Sequence, residues 1–450
     1  MAKRDFGAVA VDLGASSGRF AAGYLEDGRI RFEVIEQFPH APFERNGKLF
    51  WDLDSILGLC KRASDYASAN FIQSTLAIDS WGVDHGLIDQ NGNLIDQPVC
   101  YRDLSHAAAF EELAPYRAEL YAQTGIQHQP FNTICQLYAR KKEDASLPSR
   151  ARFLILPDLL GYLLSGEVHH ELTEASTTQL MGLDCRWSPR AFEIAGWPVP
   201  EGQPQKAGTL GGDIAPGVRL AHVGSHDTAS ALQGFGAQRE NQLYVNVGTW
   251  SLAMLIRDEP IATPEAEAAN FTNERMGDGR VRFLKNIPGF YVVNRLHEEL
   301  GVTESVPDWL ASATASHEHA DLFAPEFFNP DSMVEACANQ VDNRPESHAE
   351  WAGLALGSLA RAIAEQPLEA AKVGAQAANM IRIGGGGSQS AALCQKIADL
   401  SGLPVAAGPV EATVLGNLGM QFMASGHFKD SEEMESVISR SGNLVEYWPQ

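Results

Sequence analysis

An α/β fold in two lobes is what this 450-residue sequence predicts. Three observations carry that expectation. The chain is too long for one typical core, so two domains are the default. Strand patterns alternate with helical ones through most of its length. A strand that runs into a turn of glycines and hydroxyls occurs twice, as VAVDLGASSGR at residues 9–19 and as VNVGTWS at residues 245–251. The two phrases stand near the starts of two halves, which places one lobe at 1–236 and the other at 237–450.

In the first lobe, Val9, Val11 and Leu13 mark a buried strand over 7–14. A second strand over 18–25 and the alternating RIRFEVIEQF at 29–38 complete an antiparallel meander. WDLDSILGLCKRASDYASA then predicts a helix with Asp52 or Asp54 as N-cap and Ile56, Cys60, Ala63 and Ala67 on one face. STLAIDSWGVDHGLIDQNGN reads as strand, break at Gly82, strand, and an Asn91-Gly92 turn. Residues 103–215 are richer in helix and loop, with a helix from about Pro157 closed by Gly166 and another opened by Ser188-Pro189. LAHVGSHDTAS at 220–230 predicts an apolar strand that turns at Gly224 and starts a helix around Asp227. Taken alone, a carboxylate there is either a helix cap or a working group.

In the second lobe, LYVNVGTWSLAMLI gives two strands around the second turn, and a hairpin follows around Gly277-Asp278-Gly279. A helix begins near Pro288, residues 301–345 read as an irregular surface excursion, and 350–378 as one long Ala-rich helix. NMIRIGGGGSQS is a strand, a glycine run and a helix start at Ser388; PVAAGPVEATVLGNLGMQFMA ends in a core helix packed through Gly416 and Gly419.

The paired turns suit phosphate. Their backbone N–H groups are uncovered, Ser16 and Ser17 in one and Thr249 in the other add hydroxyls, and Arg19 adds fixed charge. Asp12, at the end of the first strand, is placed to hold a hydrated Mg²⁺. The glycines at 385–387 remove side chains where an adenine and ribose could lie. A formal charge of −23 argues against a nucleic-acid or anionic-membrane partner, and a nucleotide site must gain its positive potential locally. No run is long enough to cross a bilayer, and the start reads as a strand rather than a signal peptide. Six scattered cysteines without a C-x-x-C pair suit reduced thiols in the cytoplasm. His169-His170, the adjacent His pair, is expected on a solvated loop.

In this order, DSWGVD (79–84), YRD (101–103), PFNTICQL (130–137), SHDTAS (225–230), GTWSL (248–252), TNE (272–274), LKNI (284–287) and GPVEATVLGN (408–417), together with VAVDLGASSGR, resemble the FGGY family of carbohydrate kinases. The likeness is closer to its rhamnulokinase branch than to the family at large. It implies two actin-like (ribonuclease H-like) ATPase lobes with an interlobe cleft, the first binding sugar and phosphate and the second nucleotide. It implies phosphorylation of L-rhamnulose to L-rhamnulose 1-phosphate with ATP and Mg²⁺, by a monomer or homodimer with a small sugar as its partner. By the same likeness Ala15, Ser16, Ser17, Gly18, Arg19, Thr249, Asn294, Gly385, Gly386 and Gly387 hold ATP. Gly82, His226, Asp227, Thr228 and Asn286 line the sugar, and Asp227 is the general base. His85 and Asn294 depart from the rhamnulokinase pattern, which expects Phe and Gln. His85 either packs behind the pocket or faces the sugar, since it and Asp84 point to opposite sides of a strand. Other readings are a kinase for L-fuculose or a pentulose, and a non-catalytic sugar- or ATP-sensing regulator.

Overall fold

The computed structural model describes residues 3–248, 250–314, 318–327 and 330–450. The chain forms two compact units, each discontinuous. The first takes Met1–Ala237, Arg257–Phe283 and Thr413–Ser441; the second takes Gln238–Ile256, Leu284–Ala412 and Gly442–Gln450.

The first unit is built on a six-stranded sheet in the order Arg29–Pro39, Ser17–Glu26, Arg4–Leu13, Phe71–Ser80, Val218–His222, Thr209–Ala215. The first three strands are the antiparallel meander. Arg4–Leu13, Phe71–Ser80 and Val218–His222 run parallel. Such strands need both faces covered, and alternation along the first strand does this. Val9, Val11 and Leu13 pack with Ile56, Cys60, Ala63 and Ala67 of the helix Leu53–Asn70, which Asp52 caps. Ala8 and Ala10 face the other way, toward Leu415 and Leu418 of the helix Ala412–Ala424. The alanines let this helix lie close. A Cβ on Gly416 would sit 1.9 Å from the Ser230 carbonyl oxygen, so only glycine fits there.

The second unit centres on the strands Ser251–Arg257, Gln242–Val247, Met380–Gly384, Val405–Ala407 and Val445–Tyr447, adjacent in that order. Its Ala-rich segment is two helices rather than one. Ser347 and Glu350 form a capping box for His348–Ala364, and a new helix starts at Gln366 with Pro367 in its first turn, where the missing N–H costs nothing. The described residues of the 301–345 stretch include regular elements that its composition does not suggest. Ser305 and Ser332 cap the short helices Val306–Ala311 and Met333–Ala338, and Trp309, Phe327 and Met333 are buried. Helices this short show too few turns for an apolar period to be read. The helix after the glycine run begins at Ala391, capped by Ser390, while Ser388 lies in a preceding 3-10 turn.

His169 and His170 are buried, not solvated. His169 stacks on His222 at 3.6 Å between centroids, and His170 meets Trp187 edge-on at 5.5 Å. Burial drives both rings neutral, His169 to about 3 and His170 to about 4. The aromatic neighbours come from distant segments, so nothing adjacent in the chain signalled the burial.

Candidate active site

Strand register assembles the first part of the site. Asp12 pairs across one side with Arg19 and across the other with Asp79, so three charged residues stand abreast where Arg4–Leu13 and Phe71–Ser80 end and the antiparallel Ser17–Glu26 begins. In open α/β sheets that edge is where ligands bind. Arg19 donates twice to Asp12 Oδ2, from Nε at 3.0 Å and from a terminal nitrogen at 2.7 Å. Asp79 is fully buried. Its Oδ2 accepts from Asn417 at 2.5 Å, and its Oδ1 has no hydrogen-bond partner among the described residues. Burial, then the Asp12 carboxylate, push its pKa well above the usual carboxylate range. Next to it, Ala15, Ser16, Ser17 and Gly18 form the hairpin turn into the second strand, closed by Gly14 N–H to the Ser17 carbonyl at 2.9 Å. Ser16 and Ser17 are exposed there.

The second part is the turn after Val218–His222. Ser80 bridges His226 in parallel, so Asp227 follows directly beyond the end of the Asp79 strand. The turn is held from below by Glu171, whose Oε2 accepts from Thr173 N–H at 2.8 Å, Thr173 Oγ1 at 2.5 Å, Glu174 N–H at 3.1 Å and Ser225 N–H at 3.2 Å. Thr173 Oγ1 in turn accepts from His226 N–H at 3.0 Å. His226 is the N-cap position of the helix Asp227–Gly234 and makes no side-chain cap bond, and Asp227 opens the first turn. The Asp227 side chain keeps 27% of its exposure. Its carboxyl is nevertheless raised to about 6, by burial first, opposed by His226 and reinforced by Asp12.

Around that turn lies a buried polar cluster. Arg282, fully buried, donates to Glu274 Oε2 at 2.8 Å, to Thr228 Oγ1 at 2.7 Å, to His226 Nδ1 at 2.9 Å and, through Nε, to the Arg275 carbonyl at 2.9 Å. Glu174 is buried with neither oxygen partnered among the described residues. Burial, then Glu171, raise its pKa well above the usual carboxylate range.

Gly82 packs on Thr177, whose side chain would lie 2.9 Å from an added Cβ. Asp84 is buried and fully engaged: its Oδ2 accepts from Trp51 Nε1 at 2.5 Å and Trp81 Nε1 at 2.8 Å, and its Oδ1 from Gln136 at 3.1 Å. His85, next in the chain, is buried and edge-on to Phe153 at 6.1 Å. Burial, then Arg140, lower its ring to about 3.

The remaining expected residues belong to the second unit. Thr249 lies outside the described residues. Asn286 and Asn294 are exposed, the latter on the helix Gly289–Glu299. The glycine run has a partly internal cause. Gly385 adopts φ +73° and a Cβ there would come 2.6 Å from Asn246 Oδ1, while one on Gly387 would strike Val247 Cγ1 at 2.3 Å. Only Gly386 faces open space.

A model of the N-terminal domain of the FGGY family of carbohydrate kinases matches residues 8–201, and one of its C-terminal domain matches 243–425. The chain belongs to the FGGY family of carbohydrate kinases. Solved structures of this fold include a ligand-bound xylulose kinase from Lactobacillus acidophilus, 16% identical with a TM-score of 0.82, covering 99% of this chain and 94% of that one. A gluconate kinase from Lactobacillus acidophilus is 15% identical with a TM-score of 0.82, at 99% and 94% coverage. A Plasmodium falciparum glycerol kinase with ADP is 13% identical with a TM-score of 0.79, at 100% and 96% coverage. The FGGY chain thus has the two-domain mixed α/β architecture of this family's actin-like ATPase fold.

Several residues of this candidate site carry no assignment from the sequence. Asp79, Glu274 and Asn417 lie inside the quoted family phrases but were given no role. Glu171, Glu174 and Arg282 had no signal of their own, because a charged residue in a strand or loop pattern reads as solvated until tertiary packing buries it. Among the described residues no group of three or more His, Cys, Asp or Glu has a metal-ligating arrangement.

Proposed function

We propose that this sugar kinase transfers the terminal phosphoryl group of ATP to a ketose hydroxyl, and that the ketose is L-rhamnulose, with L-rhamnulose 1-phosphate as product. The observation that carries the reading is Asp227. It stands just past the strand edge, keeps part of its side chain accessible, and has its carboxyl raised to about 6 by burial. A carboxylate with that acidity is ionised near neutrality and basic enough to take a hydroxyl proton as attack proceeds.

Phosphoryl transfer asks mainly for positioning and charge stabilisation. Ala15, Ser16, Ser17 and Gly18 offer turn N–H groups and hydroxyls to phosphate oxygens, with Arg19 beside them. Thr249, Asn294 and Gly385–Gly387 complete the proposed nucleotide set. Gly386 is the position where the missing side chain leaves room. His226, Thr228, Gly82 and Asn286 form the proposed sugar set.

Mg²⁺ fits the strand edge. Asp79 Oδ1, without a hydrogen-bond partner among the described residues, lies near the Asp12 and Asp227 carboxyls, and such a group of acids is one that a cation would neutralise. Asp12 and Asp79 would hold it, and when bound it offsets phosphate charge. The acid cluster itself favours the ion. No step needs more from the protein than orientation and one proton acceptor.

A pentulose as substrate is the second reading, supported by the xylulose kinases among similar structures. ADP release across L-rhamnulose, L-fuculose, D-xylulose and L-ribulose, with the phosphate position assigned on each product, tests both. L-Rhamnulose should give the highest kcat/KM. A pentulose ahead of it by tenfold or more would replace the first reading, and no ADP release with any ketose would leave the regulator.

A further inference from the structure

The buried cluster behind Asp227 has a feature that the transfer reaction does not require. Arg282 can do nothing but donate, and all three of its nitrogens are engaged. One of its terminal nitrogens lies 2.9 Å from His226 Nδ1 and 2.8 Å from Glu274 Oε2. A guanidinium cannot accept, so the contact with Nδ1 is a bond only if that nitrogen carries no hydrogen. Its other terminal nitrogen donates to Thr228 Oγ1 at 2.7 Å, which fills one lone pair of the hydroxyl. Thr228 Oγ1 is also 3.2 Å from both ring nitrogens of His226.

We propose that Arg282 is a positioning residue that commits His226 to the Nε2–H tautomer and Thr228 to accepting from within, so that both present a hydrogen to a sugar oxygen beside Asp227. The inference deepens the kinase reading and rests on it. It means the sugar is recognised there by two donors flanking one acceptor. The acceptor is Asp227, for the hydroxyl that reacts. The donors suit oxygens on the adjoining carbons that need only accept, as the carbonyl oxygen of an open-chain ketose does. The competing arrangement has the proton on Nδ1, donated to Glu274 Oε2 at 3.1 Å. That state would aim an Arg282 hydrogen at an N–H hydrogen and would leave Nε2 as an acceptor. Arg282, Glu274 and Asp227 are the charged groups facing the ring, and Arg282 is the one held on all sides.

Two measurements test this. In the unaltered, histidine-15N-labelled protein, with His226 assigned by loss of its signals in His226→Gln, Nδ1 should give the resonance of an unprotonated ring nitrogen and Nε2 that of an N–H. The opposite assignment overturns the proposal. For the second, Arg282→Met combined with Glu274→Met replaces the buried pair by apolar groups of similar bulk, which buried ion pairs commonly tolerate. Loss of directed donors should raise the ketose KM by roughly tenfold or more, with the ATP KM unchanged. Arg282→Lys, which keeps charge but can reach fewer partners, should recover part of that rise. A fall in kcat with the ketose KM unchanged would mark Arg282 as structural only and refute the proposal. If the double variant does not fold, the nitrogen spectrum of the native protein decides alone. Near-normal turnover in Asp227→Asn would instead remove the base, a separate failure that the His226 spectrum does not share.

Discussion

Replacing Asp227 by Asn separates catalysis from stability in one residue. The amide keeps the shape of the side chain and deletes the proton acceptor, so turnover should fall by roughly 10²–10⁴. The same change should stabilise the fold. The folded carboxyl titrates at about 6 against an ordinary 3.8, so ionising it in place is unfavourable. That group favours the fold only while protonated; the contribution is whole below the unfolded value and is lost as pH rises through about 6. The full difference corresponds to at most about 3 kcal/mol, less because 27% of the side chain meets solvent. Asn carries none of this cost. The variant should therefore melt a few degrees higher at pH 8, and its advantage should be about 1–1.5 kcal/mol smaller at pH 5. Melts in EDTA, with urea titrations at both pH values, measure the stability arm, and ADP release measures the catalytic arm. Two results would refute the reasoning. One is turnover within threefold of the parent in a folded variant. The other is a stability gap that does not change with pH.

The structure makes further predictions. His169 and His170, held neutral at about 3 and about 4, should each cost the fold roughly 2 kcal/mol on going from pH 7 to pH 5, because the unfolded rings take protons that the folded ones refuse. His169→Gln should flatten the pH dependence of the urea midpoint, and an unaltered slope would contradict the assignment. Gly416→Ala drives a methyl into the Ser230 carbonyl and should destabilise by about 3 kcal/mol or more, outweighing the ~1 kcal/mol gain in helix propensity. A melting temperature at or above the parent's would count against that packing. His85→Phe should leave the ratio of kcat/KM between L-rhamnulose and a hydroxylated ketose unchanged, since the ring is buried and packs edge-on to Phe153. A shift toward L-rhamnulose would place it at the sugar. Thr249→Val should raise the KM for MgATP and spare the ketose KM; an effect confined to the ketose would reassign the second turn.

Much of this molecule was determined locally by its sequence. The meander over residues 4–39, the helix capped by Asp52, the hairpin around residues 277–279 and the strand-to-helix turn at Asp227 all follow from alternation, caps and glycines within a few residues. The family phrases likewise carried the FGGY assignment. Tertiary structure decided what depends on register and on distant partners. Asp12, Arg19 and Asp79 become neighbours only because two strand pairings align them, a relation no local period encodes. Asn417 reaches Asp79 across 338 residues of chain. Glu171 under the Asp227 turn and Arg282 behind it read in sequence as solvated charges. They are buried because other segments close over them, and a buried charge persists only where precise partners meet it. The same cause put His85, His169 and His170 in the core. Periodicity records which side of an element is apolar, whereas the chemistry of a site depends on which elements that side meets.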